Sequence, residues 1–461
     1  MPEVRPFRGL RYNTDFVRQI DRVLAPPYDV ISDEERKQLA SRSPYNIVHL
    51  TLPPLRGDAG GERDYLLAAA TLEQWRREGV LVLDPRPAIY VYEVTYQTPP
   101  PRSEVVRRRG LIAAVRLEAL GEGGILPHEG TLDEPKRDRL LLTKHTECAF
   151  SQVFAIYDDP AKRIEGTIRP KLGDPDWAYE DEHGHRHRFW TVVDPEVNKM
   201  VAAVFRETPI VIADGHHRYE TALAFRDYMR QRYGAGPAAW DYVTMFLCNI
   251  AHRSLTILPA HRMIRFLPRE QADKFEKQTA EFFDRLYVRV ERGREGREKA
   301  VRELLELMSA RSGTGHVFGA YWGRSYAVAI RLRDKERALR LFGQGVNDVQ
   351  QDLDVALLHA IVIRGMLGQV EDIARTSGRG NIYFERDPVK CLEDVDAGRA
   401  SMALLCNPTR VEDVMRVALA RQRMPQKGTY FWPKLPAGIV LYDMRPGVPT
   451  IESPHATRSG E

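Results

Sequence analysis

The sequence predicts an α/β protein of the α+β kind, with mixed sheets in more than one domain. Three observations predict it. Apolar β-branched runs alternate with stretches of helical period along the chain. At 461 residues the chain exceeds what one core usually serves. With 43% hydrophobic and 29% charged residues, it has the composition of a globular protein.

Taken in order, residues 1 to about 60 are rich in loops. Within them Ala25-Pro26-Pro27-Tyr28-Asp29-Val30 is a stiffened turn, and Ser32 followed by Glu35 is a capping box that starts a helix. Residues 62–78 have helical spacing. Ala88–Gln97 alternates as a strand, and Arg107–Glu118 is its partner beyond the Pro99-Pro100-Pro101 loop. Strands follow at Ser151–Tyr157 and Arg188–Val193, and Asp194-Pro195 opens a helix. Residues 208–213 (TPIVIA) form a buried strand that leads through a turn into a helix from about Arg218 to Arg232. Tyr242–Ile250 is a further strand. Residues 268–310 are charged and helical in period, with strands expected near 316–332 and 338–342 and a helix near 353–367. A tail after Ser453 is expected to be disordered. The expected domains are 1–266, carrying the strand–turn–helix, and 267–461, opening with the charged helical segment.

The net charge of +4 arises from 68 basic and 64 acidic residues spread along the chain, so a nucleic-acid partner is not expected. Cys148, Cys248, Cys391 and Cys406 lie far apart and form no Cys-x-x-Cys pair, which fits reduced thiols. No run of about 18 apolar residues exists, and the N-terminus lacks the apolar core of a signal peptide. The expectation is a cytoplasmic protein without a membrane partner.

The segment richest in chemistry is Asp214-Gly215-His216-His217-Arg218. Asp214 stands where an N-cap carboxylate would take up free helix N–H groups, and Gly215 permits a sharp turn and close approach of a ligand. His216, His217 and Arg218 then stand at a helix N-terminus, whose dipole favours an anion, and Arg218 has the fork that grips phosphate. The plain alternative is a capped helix with solvated side chains. A second segment, His128-Glu129-Gly130 followed by Lys136-Arg137-Asp138-Arg139, offers an acid/base and cations, or a solvated loop entering a charged helix. Tyr28 and Asp29 are presented by the proline turn. Leu258-Pro259-Ala260-His261-Arg262 ends a strand with a His-Arg pair. In Met424–Lys434, Lys427 and Thr429 flank a glycine where an anion could be held.

His183, His185 and His187 alternate and would share one strand face, but their polar surroundings point to an exposed hairpin tip, and no metal site is expected from them. Nucleophile-elbow, P-loop and Gly-x-Gly-x-x-Gly patterns are missing.

These same segments, together with Pro6-Phe7-Arg8-Gly9-Leu10 and Pro44-Tyr45-Asn46, resemble in order the uncharacterised bacterial and archaeal family called domain of unknown function 1015. The five-residue turn is also similar to the motif of the ParB/sulfiredoxin-like superfamily, which includes CTP-binding partition proteins, sulfiredoxin and free-serine kinases. That resemblance implies that Gly215, His216, His217 and Arg218 cradle phosphate. It further implies an upstream carboxylate as base, for which Glu129 is the first choice and Asp29 the second. The association of the family's genes with serine biosynthesis would fit serine or phosphoserine as substrate.

The leading expectation is phosphoryl transfer involving a nucleotide or a small phosphorylated metabolite, with Mg²⁺ bridging the phosphates. Arg218 and His217 would neutralise the transferring group, His216 would orient it, and Glu129 would accept the hydroxyl proton. Asp214, Gly215, His128, Arg262 and Lys427 complete the expected phosphate site. Hydrolysis of a phosphomonoester and a nucleotide-gated binding protein are the alternatives.

Overall fold

The computed structural model describes residues 1–53, 62–100, 103–130, 133–313, 315–369 and 380–451. Pro101 and the tail beyond Ser453 lie outside these residues. Nine strands form the first sheet: β1 (Val4–Arg5), β2 (Ile89–Gln97), β3 (Val105–Arg116), β4 (Ile125–Pro127), β5 (Val153–Tyr157), β6 (Trp177–Glu180), β7 (Arg186–Val192), β8 (Ile210–Asp214) and β9 (Tyr242–Asn249). Their spatial order is β4-β8-β5-β9-β3-β2-β7-β6, with β1 paired to β3. The pairs β4·β8 and β5·β9 are parallel and the others antiparallel, so the sheet is mixed.

Both faces of this sheet are covered, and the period-2 alternation shows which residue serves which face. In β2, Ile89 and Val91 pack into one core, and Tyr90, Tyr92, Val94 and Tyr96 into the other. α1 (Asp33–Arg42) begins with the expected capping box of Ser32 and Glu35. α2 (Glu62–Arg77) buries Leu72 and Trp75, and α3 (Asp133–Thr146) follows β4. α4 (Pro195–Phe205) starts where Asp194 accepts the N–H groups of Glu196 and Val197, and its Val197, Val201 and Val204 cover the second face. In β8, Ile210, Val211 and Ile212 are fully buried, each a gain of about 1.5–3 kcal/mol relative to exposure.

α5 (His216–Tyr233) leaves the end of β8. β10 (Thr256–Leu258) then precedes a second, antiparallel sheet. This sheet contains β11 (His261–Ile264), β12 (Phe283–Arg289), β13 (Val317–Tyr321), β14 (Tyr326–Leu332), β15 (Ile382–Glu385) and β16 (Met402–Leu405), in the order β12-β14-β13-β16-β11-β15. β17 (Tyr430–Trp432) returns to pair with β10. The change of sheet falls at His261. Residues 435–444, however, pack into the first core with Phe7, Leu10 and Tyr90.

Two element expectations are corrected. The helical stretch 268–310 holds a strand, β12, between the helices Arg269–Phe282 and Arg294–Arg311, because its partner Tyr326–Leu332 supplies the ladder from a distance. Residues 335–342 are a helix rather than a strand, since Asp334 accepts the Arg337 N–H as its N-cap. The four cysteines are free and buried. No helix among the described residues is long and apolar enough to cross a membrane.

Candidate functional site

The strand β8 ends in a register shift between Ile212 and Asp214, and Gly215 turns the chain at φ +91° into α5. The positive φ favours glycine here, and a Cβ on Gly215 would meet the Arg218 guanidinium at 2.8–2.9 Å and push it aside. Asp214 is not the N-cap that its position suggested. Gly215 caps the helix, no side chain caps it, and the Asp214 carboxylate instead holds Lys434 and, at 2.8 Å, Arg218. Burial opposes ionisation of Asp214, but Lys434 and Arg218 together hold its carboxyl well below the usual range. Arg218 also donates to the Gln152 carbonyl. The first turn of α5 therefore keeps N–H groups that no side chain satisfies, at the positive end of an 18-residue helix.

β4 runs parallel to β8, which places His128 and Glu129 beside the turn. His128 Nδ1 lies 2.6 Å from the Ile212 carbonyl oxygen, an acceptor only, so Nδ1 carries the proton. Its Nε2, 2.8 Å from the Thr429 hydroxyl, then accepts in the neutral ring. Burial keeps this imidazole neutral, its pKa pushed down to about 4. The His216 ring stands 4.9 Å from it, edge to face, and its pKa is driven well below normal by burial, with His128 adding to the effect. His217 is half-buried, and burial followed by the nearby Lys427 charge lowers its pKa. Two buried ring nitrogens here, His216 Nε2 and His217 Nδ1, have no hydrogen-bond partner.

The distant loop 424–434 closes the site. Met424 donates to the His128 carbonyl at 2.8 Å and forms a parallel bridge with Glu129. The Lys427 N–H donates to Glu129 Oε1 at 2.6 Å, with Lys427 itself at φ +54°. Burial raises the Glu129 pKa, and the Lys427 N–H opposes the rise. Lys434 stands 4.6 Å from the Tyr430 ring centre, and Arg386 3.9 Å from it. Across the turn, Arg139 lies 4.3 Å from the Tyr28 ring and donates to the Thr51 carbonyl. Tyr28, Thr51, Arg139, Ser151, Arg218 and Thr221 border a cavity of about 80 Å³ beside the arginine. Lys136 pairs with Glu220 on α5.

Of the residues expected from sequence, the structure gathers His128, Glu129, Asp214, Gly215, His216, His217, Arg218 and Lys427 around one turn. Asp29 is exposed and near enough that its charge acts on His217 and Tyr430. Arg262 does not face the turn. It is buried, donates to His359 at 2.9 Å and to the Ala260 carbonyl, and reaches the carbonyls of Gln426 and Lys427 at 3.4 and 3.3 Å. Its fork therefore holds the back of the loop rather than a ligand at the turn. Thr429, expected with Lys427 beside the glycine, meets His128 Nε2 at 2.8 Å, whereas Lys434 and Gln152 join the site without a local sequence signal of their own. Lys434 stands in the same Met424–Lys434 segment as Lys427. The hairpin histidines also differ from expectation. His183 is exposed, but His185 and His187 turn inward and are buried.

A second cavity, about 510 Å³, is lined by Leu258, His316, Asp354, Arg386 and Thr409 among others, and shares no lining residue with the turn. The Thr409 hydroxyl, on the lining of this cavity, donates to the Gly428 carbonyl of the 424–434 loop at 2.8 Å.

Among solved structures, the chain is similar to a free serine kinase in complex with AMP, with 10% identity over 67% of this chain and 83% of that one, at a TM-score of 0.30. It is similar to SbnI from Staphylococcus aureus with a C-terminal truncation (11% identity, 70% and 84% covered, TM-score 0.33). It is also similar to a conserved hypothetical protein from Pyrococcus furiosus (10%, 69% and 91%, TM-score 0.31). No curated protein matches the sequence. The model of the family described as protein of unknown function DUF1015 matches residues 4–356, well over half of the chain and all of the turn, though not the 424–434 loop; the protein belongs to that family.

Proposed function

We propose that the protein is a phosphoryl-transfer enzyme that binds a nucleotide or a small phosphorylated metabolite, with serine or phosphoserine as the metabolite, at the first turn of α5. The observation that carries this reading is the uncapped helix start with two buried, unpartnered imidazole nitrogens beside it, ringed by Lys427, Lys434 and Arg218. Buried polar atoms usually have partners, and a phosphate brings acceptor oxygens for N–H donors and cations alike. Because burial favours neutral rings at His216 and His217, each can donate a single N–H to a phosphate oxygen without carrying a charge.

In this reading Arg218 and Lys434 neutralise the charge on the transferred group, and Asp214 sets where those two cations stand. Glu129, whose pKa burial raises, takes the hydroxyl proton of the acceptor. Asp29 is the second choice for that base. Among the described residues the turn offers no ready carboxylate cage for Mg²⁺, because Asp214 directs one oxygen to Lys434 and the other to Arg218. The ion would enter on the phosphates, with Glu129 and Asp29 as the carboxylates that could meet it, and it would supply charge neutralisation there.

The test is phosphoserine formation from serine with ATP or ADP and Mg²⁺, on wild type and Glu129→Gln. The expected result is turnover in wild type and a kcat lowered about 10²–10⁴-fold in the variant, with little change in KM. Equal turnover in both would remove Glu129 from the chemistry. Phosphate release without serine dependence would make water the acceptor and the enzyme a phosphomonoesterase.

A further inference from the structure

A second cluster of histidines lies in the hairpin between β6 and β7, away from the turn. Asp181 stands at its tip. Its Oδ1 accepts the N–H groups of His183 and His185, each at 2.9 Å. Its Oδ2 lies 3.1 Å from His185 Nδ1 and 3.2 Å from His187 Nε2. The three candidate ligand atoms all fall within 4.8 Å of one another. For ligands about 2.0–2.2 Å from a tetrahedral zinc, the ligand–ligand edge is about 3.3–3.6 Å, close to two of these separations.

The strand geometry explains the convergence. His185 and His187 are two apart, so they share a face of the hairpin, and that face packs inward. The Tyr92 hydroxyl, itself buried, lies 2.6 Å from His187 Nδ1 and fixes the ring so that Nε2 faces Asp181. Metal-bound histidines are held in this way through their far nitrogen. His185 is steadied by the Trp432 ring at 5.2 Å and the Tyr96 ring at 6.1 Å. The buried Arg108, which stands over Tyr96, is engaged by the carbonyls of Trp432 and Pro433.

We propose that Asp181, His185 and His187 form a binding site for a divalent transition metal of the zinc class, with water or the exposed His183 as the fourth ligand. The site is independent of the phosphoryl-transfer reading. Its effect would be structural: it ties the hairpin to Trp432, on the strand that carries Tyr430 toward Lys434. Two hydrogen bonds to one carboxylate oxygen are the metal-free arrangement of the same atoms, and the two are separable.

The experiment titrates the full chain, stripped with a chelator, with Co²⁺, reads the visible absorption of tetrahedral cobalt, and then displaces it with Zn²⁺. Wild type is expected to saturate and to melt at a higher temperature with zinc. Asp181→Asn, which keeps the Oδ1 acceptor, and His185→Gln are expected to lose the band while their metal-free melting stays near wild type. Tyr92→Phe is expected to weaken binding about tenfold. If Asp181→Asn does not fold, His185→Gln decides. No saturable band in wild type, or unchanged binding in His185→Gln, would overturn the site.

Discussion

The turn at α5 and the β6–β7 hairpin both bury histidines, yet they prepare for opposite charges. At the turn, His216 Nε2 and His217 Nδ1 have no partner, the helix start is uncapped, and Lys434 and Arg218 crowd one carboxylate. In the hairpin, His187 has Tyr92 on one nitrogen and Asp181 on the other, and one carboxylate oxygen faces two imidazoles. The first arrangement has donors in excess and suits an anion. The second has one acceptor shared by two rings and suits a cation. The lesson is that histidine clusters are told apart by what faces their free nitrogens, not by how many histidines they hold.

The largest effect that would break this comparison is on Asp214. Replacing it by Ala leaves the Lys434 ammonium and the Arg218 guanidinium, 11% and 13% exposed, without their carboxylate. The expected loss is about 3 kcal/mol of unfolding free energy, partly restored by inorganic phosphate. Asp181→Asn in the hairpin should show no such rescue. Denaturant titrations with and without phosphate check it, and a loss at Asp214 that phosphate does not touch would argue against an anion site.

A second effect concerns pH. Burial holds His128 at a pKa of about 4, below the ordinary value of about 6.5. The unfolded chain therefore binds more protons than the folded one between these values. The stability is fully present above about pH 6.5 and is lost as pH falls toward 4, on the order of 3 kcal/mol from this ring. His128→Asn should flatten that slope in urea titrations across the window. A slope unchanged by the substitution would mean that other groups set the acid limb.

The smallest effect is at Gly215. Alanine there carries the left-handed cost of about 1–2 kcal/mol and pushes on the Arg218 guanidinium. Gly215→Ala should lower the melting temperature modestly and weaken phosphate binding more than Gly184→Ala, whose Cβ would meet nothing within 4 Å.

Much of the local structure was legible because it is written in contiguous residues. The run TPIVIA followed by Gly215 specified the strand and turn, Ser32 with Glu35 specified the start of α1, and alternation marked β2 and β3. What could not be read depends on distant partners. Asp214 looked like an N-cap because its true partner, Lys434, is 220 positions away. Arg262 looked like a phosphate ligand because nothing local shows the 426–427 carbonyls that occupy it. β12 was hidden in a charged helical stretch because the ladder with Tyr326–Leu332 decides it. The hairpin histidines were placed at an exposed tip because the Tyr92 and Trp432 side chains that cover them come from elsewhere in the chain.

The central claim, that the first turn of α5 is built for a phosphate, is tested most directly by ligand-induced thermal shift. ATP, ADP, CTP, inorganic phosphate, serine and phosphoserine would each be added with and without Mg²⁺ to wild type and Arg218→Ala. A ligand at 100 times its Kd stabilises the native state by about 2.7 kcal/mol, well within reach of the measurement. The account predicts a shift with a nucleotide or phosphoserine that disappears in Arg218→Ala. No shift with any phosphate ligand, or an equal shift in the variant, would contradict it.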